Sequence, residues 1–164
     1  MRKLILSLVL VFSANTFFAQ SVFDKFEDQE GITAVVVNKK MFSLLSKMEV
    51  KDKESQQYVN LIKKLDNLRV FVTQSDKKSD EMRSISDKYV KSASLEELMK
   101  INEKGKSVKI YVKSGASDSQ IKELMMFVEG SGNEETVLML LVGDFDLNEL
   151  SVLTDKMNLP VVMI

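Results

Sequence analysis

Between Lys106 and Asp146 the sequence alternates in a way that permits little besides three consecutive antiparallel strands. In the first run, Ser107 to Lys113, Val108, Ile110 and Val112 fall on one face and Lys109, Tyr111 and Lys113 on the other, the period of a half-buried strand. The second run, Ile121 to Glu129, opposes Leu124, Met126 and Val128 to Met125 and Phe127. The third, Thr136 to Val142, is apolar on both faces, which predicts a central strand covered on both sides. Gly115 and the stretch Gly130 to Asn133 supply the connections.

The rest of the chain must pack around this meander. Ile32 to Val37 is a short β-branched run, read as a first strand buried on both faces. Leu68 to Thr73 alternates as a second strand. Before the first strand, Val22, Phe23 and Phe26 form an apolar stripe that predicts a short helix capped by Ser21. Asn38 opens a helix carrying Met41, Phe42, Leu44, Leu45 and Met48, and another runs from about Ser55 to Asn67 with Tyr58, Leu61, Ile62 and Leu65 on one side. Met82, Ile85 and Tyr89 align on a helix over Asp80 to Lys91. Ser94-Leu-Glu-Glu97 has the form of a capping box, which predicts a further short helix ended by Gly105. Asp146 and Glu149 make a second such box, opening a last helix with Leu147, Leu150, Leu153 and Met157 before Pro160. The expected architecture is α+β: one domain with about five largely antiparallel strands and helices on at least one face.

The N-terminus reads separately. Arg2-Lys3, the apolar stretch Leu4 to Phe12 and the small residues after it have the layout of a secretory signal, with Ala19 before the expected cut. This predicts residues 1–19 as signal peptide and 20–164 as the mature domain, with no membrane span. No cysteine follows the apolar stretch, so the expectation is an exported protein, periplasmic or secreted, without a lipid anchor. Removing Arg2 and Lys3 from the 23 basic side chains leaves 21 against 24 acidic ones, a net charge of −3. Interspersed charges of that balance argue against nucleic acid as a partner, because counterion displacement needs a concentrated basic surface.

With no Cys and no His, disulfides, the usual zinc sites, thiol nucleophiles and every triad built on imidazole are ruled out. Carboxylate chemistry remains open. Gly105-Lys106-Ser107 lacks the earlier glycine of a phosphate loop and leads into a strand instead of a helix. Asp144, Asp146 and Asn148 begin like a calcium loop, but Glu149 stands where its glycine belongs. Glu96-Glu97 and Glu134-Glu135 read as helix-end and turn residues, and the methionines as core filler in place of a copper site. No cofactor, metal site or catalytic set is predicted. Two candidate sites remain: an interaction face of Lys109, Tyr111 and Lys113, or an open sheet edge, receiving a peptide or envelope protein; and Asp144 with Asp146 at a strand end, the basis of an alternative carboxylate-dependent hydrolase or transferase.

Several stretches also carry a resemblance: Val36-Val-Asn-Lys-Lys-Met-Phe42, Leu65-Asp-Asn-Leu68 and Leu140-Leu-Val-Gly-Asp-Phe-Asp-Leu147, with Gly143 to Leu147 the most specific. The chain resembles a family of exported Bacteroidota proteins, the domain of unknown function 4252, over about Phe23 to Leu159. The resemblance implies no activity, cofactor or catalytic residue. It implies a role in an envelope response; the expectation of a non-enzymatic binding or interaction module in the cell envelope comes instead from an intact apolar framework that carries no catalytic set.

Overall fold

The computed structural model describes residues 21–130 and 134–149. Six strands form one fully antiparallel sheet: β1 (Thr33–Asn38), β2 (Leu65–Thr73), β3 (Glu96–Glu103), β4 (Lys106–Ser114), β5 (Gln120–Glu129) and β6 (Thr136–Asp146). Their spatial order is β1-β2-β6-β5-β4-β3. The helices are α1 (Lys39–Leu45), α2 (Lys53–Ile62) and α3 (Asp76–Ser92), with 3₁₀ segments at Ser21–Phe26 and Leu147–Glu149. The expected α+β domain is therefore observed, with one strand more than expected.

The period-2 pattern sorts side chains onto two faces, and each face has its own core. On the first, α1 contributes Phe42 and α2 contributes Leu61 and Ile62 to a cluster with Leu68, Leu141, Leu124, Met126 and Ile110. On the second, α3 lays Met82 and Tyr89 against Met125, Phe127, Leu138 and Leu140, joined by Phe23 and Phe26 of the N-terminal 3₁₀ segment. Phe26 meets Phe71 edge-on at 5.6 Å between centroids, and both rings are fully buried. Full burial of such a ring contributes about 1.5–3 kcal/mol. Polar ties fix α3 in place: Ser79 and Thr136 share a buried hydroxyl hydrogen bond of 2.7 Å, and Arg83 is ion-paired with Glu129. As expected, β6 lies between β2 and β5, covered on both faces.

Four expectations need correction. The short helix after Ser94 is instead strand β3. Ser94 takes a positive φ of 55°, outside the extended backbone of a helix cap, and the chain enters β3 directly. At the other end Lys104 (φ 48°) and Gly105 (φ 84°) form a two-residue turn whose left-handed pair suits a hairpin, with Glu103 opposite Lys106. The helix predicted over Ser55 to Asn67 stops at Ile62, because the Lys64 carbonyl accepts the Asp144 N–H at 2.9 Å and draws the following residues into the sheet. Finally, β1 is not buried on both faces: it is an edge strand, with Val35 51% and Val36 43% exposed. Met41 and Leu44 of α1 are likewise exposed, as is Met48 beyond its end, so α1 buries only part of its apolar surface and Met41 and Met48 are not core filler.

The predicted signal peptide, the cut after Ala19 and the last helix beyond Glu149 lie outside the described residues. Among the described residues, no helix is long and apolar enough to cross a membrane.

Candidate functional site

Lys109, Tyr111 and Lys113 do share a face of β4, but internal partners occupy it. All three are half-buried on the α3 side of the sheet. Tyr111 packs against the second core cluster and lies opposite Glu97 of β3. Burial raises its phenol pKa above the ordinary value, helped by the negative charges of Glu97 and Asp87 and by a hydrogen bond to Glu97. Lys113 lies directly across from Glu123 of β5. The face is a seam between β3, β4 and α3 before it is a surface.

Asp144 and Asp146 sit at the end of β6, and each is engaged locally. Asp144 pairs with Lys122 at 2.8 Å and accepts from the Gln120 amide. The Lys122 ammonium is the main reason its carboxyl is held below the usual carboxylate value. Asp146 accepts from the Asn148 N–H at 2.8 Å, the leading cause of its own lowered pKa, and from Ser119 Oγ at 2.7 Å. Glu149 returns a carboxylate oxygen to the Asp146 N–H at 3.1 Å, one half of the capping box read from the sequence, while the Asp146 carboxylate takes the N–H of Asn148. Both acids are ionised clamps on the β6 turn, and neither is poised to accept a proton near neutral pH. Among the described residues no three acidic side chains gather as a metal site.

A pair that the sequence reading missed lies beneath α3. The Tyr89 hydroxyl donates to Glu123, and both side chains are buried. Burial pushes the Glu123 carboxyl upward, against the Tyr89 hydrogen bond and the Lys113 charge. Burial and the neighbouring carboxylate likewise push the Tyr89 phenol upward. The available signal was Glu123 itself, a lone acid opening a run of buried apolar residues from Leu124 to Val128.

The two sheet edges differ sharply. β3 carries Glu96, Glu97, Lys100 and Glu103, and its pairing with β4 is interrupted between Glu97 and Met99. Charge and irregularity of this kind blunt an edge against further pairing. β1, Thr-Ala-Val-Val-Val-Asn, has no charged residue and pairs with β2 through all six positions without a shift. Among the described residues its outer main-chain groups pair with no other strand, and Met41, Leu44 and Met48, which follow it in the chain, are also exposed. Where β1 begins, Thr73 Oγ1 donates to the Gly31 carbonyl at 2.7 Å. There an open groove of about 500 Å³ is lined by Ile32, Thr33, Val72, Thr73, Gln74 and Glu135.

A family model described as domain of unknown function (DUF4252) matches residues 26–153. No curated protein and no solved structure matches the chain.

Proposed function

The chain belongs to the family described as domain of unknown function (DUF4252), and on that premise we propose that it is a non-enzymatic binding module that accepts an extended polypeptide onto the outer edge of β1. One observation carries this reading: of the two sheet edges among the described residues, only β1 is uncharged, regular and exposed. An added strand would satisfy its outward N–H and C=O groups, giving affinity independent of sequence. Val35, Val36 and the exposed side chains of α1 would contribute the sequence-dependent part, and the groove at Ile32 and Thr33 would receive a residue beyond the strand. The signal-like start from Arg2 to Ala19 supports placing this module outside the cytoplasm, in the cell envelope or secreted. A carboxylate enzyme is less well supported, since Asp144 and Asp146 are held by Lys122, Ser119 and Asn148.

The test begins with a displayed library of short random peptides selected on the purified chain. Selected peptides should shift the amide resonances of residues 33–38 and lose binding in a Val35→Lys, Val36→Lys double variant, which puts charge on both faces of the edge. Peptides that bind elsewhere, or a library that never enriches on a chain that light scattering shows to be monomeric, would overturn the assignment.

A further inference from the structure

Resting on that reading of β1 as an acceptor edge, we infer that the strand it receives is β1 of a second copy of this chain, paired antiparallel about a two-fold axis. The first ground is charge. Exposed Asp28 and Glu30 stand just before β1; just after it stand exposed Lys40 and Lys39, the latter also ion-paired with Asp66 of its own chain at 2.7 Å. Antiparallel pairing brings the acidic start of each strand to the basic end of the other, whereas parallel pairing sets like against like. The strand itself contains nothing that repels its own copy.

The second ground is how the exposed side chains are distributed. Val35 lies opposite Val70 and shares the face of the first core cluster; Val36 lies opposite Arg69 on the other face. A two-fold axis normal to the sheet continues each face into the same face of the partner, so both valines are covered by one joint. Centring it on Val35 pairs Ala34 with Val36 of the partner copy; centring it on Val36 pairs Val35 with Val37 of the partner copy. Either register keeps every residue on its proper face.

The third ground is closure. Joining two six-stranded sheets at β1 leaves two β3 strands as the outer edges of a twelve-stranded sheet. Those edges carry the charges and the irregular pairing described above. The uncharged edge is consumed once and cannot propagate, because an interface made of the same patch on both copies is closed. A peptide from another protein would need its own complementary charges at both ends; this chain already carries them.

The chain has no cysteine, so single replacements report on the joint without background. Val35→Cys and Val36→Cys variants are oxidised in dilute solution, and the mass of the unmodified chain is measured by light scattering across a concentration series. Expected are a dimer mass and rapid disulfide-linked dimer from one of the two variants, the one whose residue faces itself across the axis at bridging distance. The Val35→Lys, Val36→Lys variant should be monomeric with an unchanged circular dichroism spectrum. A monomer at every concentration with neither cysteine cross-linking overturns the second-copy partner. If selected peptides still shift residues 33–38 in that monomer, the binding edge stands and only its occupant changes. A dimer that survives the double lysine variant and resists both cross-links places the contact elsewhere and overturns the inference. Should the lysine variant unfold, the two cysteine variants decide alone.

Discussion

Gly143→Ala tests the packing at the end of β6 with a single methyl group. Gly143 lies opposite Leu65 of β2, beside a register shift between Leu65 and Asn67. A Cβ built there would collide with the Lys64 carbonyl oxygen and sit 3.0 Å from Leu65 Cα and 3.2 Å from the Lys64 carbonyl carbon. All three are backbone atoms, so no side chain can swing away to relieve the contact. Overpacking of that kind costs about 1–3 kcal/mol. The adjacent hydrogen bond from the Asp144 N–H to the Lys64 carbonyl, 2.9 Å long, would stretch as the strands part, adding about 1 kcal/mol. The sum, about 2–4 kcal/mol, should lower the urea midpoint by roughly 1–2 M at a mid-range m of about 2 kcal/mol/M, with m unchanged. Hydrogen exchange should show the Asp144 amide losing protection first. A variant within about 0.5 kcal/mol of the parent, with that amide still protected, would refute the close approach.

Tyr89→Phe removes the donor to Glu123 and leaves a buried carboxyl with its strongest partner gone; a loss of about 1–3 kcal/mol is expected in the same urea assay, and a loss near zero would show the pair to be idle. Because burial raises the Glu123 pKa in the folded chain, the fold favours the protonated acid: that stabilisation is complete below the unfolded carboxyl value of about 4.3 and is lost as pH rises through the raised value. Glu123→Gln should therefore gain on the parent as pH increases through this window. A flat or reversed difference sinks the assignment, and comparing the two proteins cancels the opposite slope contributed by Asp144 and Asp146, whose pKa values are lowered. Ser86 is buried on α3 with a hydroxyl that finds no hydrogen-bond partner among the described residues, so Ser86→Ala should stabilise by about 0.5–1 kcal/mol through helix propensity and relief of an unmet polar group; destabilisation would reveal a partner.

What was legible in the sequence followed from local periodicity. Val108, Ile110 and Val112, then Leu124, Met126 and Val128, spell out their face two residues at a time, and each lies across from its counterpart in the register expected of a meander. β3 was misread because Ser94-Leu-Glu-Glu97 satisfies the letter of a capping box, while Met99 and Ile101 alternating with Lys100 and Asn102 are the weaker sign of a strand. The error is one of competition between two local codes, decided by the hairpin at Lys104-Gly105. β1 differs from its expectation for another reason: a β-branched run of three valines suits a strand covered on both faces, yet the same run also forms a regular edge strand with Val35 and Val36 exposed, and local composition does not separate the two. Tyr89 and Glu123, 34 residues apart, meet only after α3 has crossed the sheet, and no periodicity announces such a pair.

The irregularities of the sheet bear on the same question. Register shifts fall between Leu65 and Asn67 in β2, Ile121 and Glu123 in β5, Lys113 and Ser114 in β4, and Glu97 and Met99 in β3. They lie near one another through the pairs Leu65–Gly143, Ile121–Phe145, Ser114–Ile121 and Glu97–Tyr111, so they form a crease across one end of the sheet. Such bulges bend strands and redirect side chains. Here the shift beside Lys122 sends Ile121 to the first core and Glu123 to the second, where Tyr89 waits. The crease runs out at β3, whose edge it distorts, and it does not reach the β1–β2 pair. The strand left regular is also the strand left uncharged. A chain that needed only to protect its edges would have treated both alike, since either edge can template pairing. The asymmetry is what a sheet requires if one edge must match a partner's strand residue by residue and the other must refuse it.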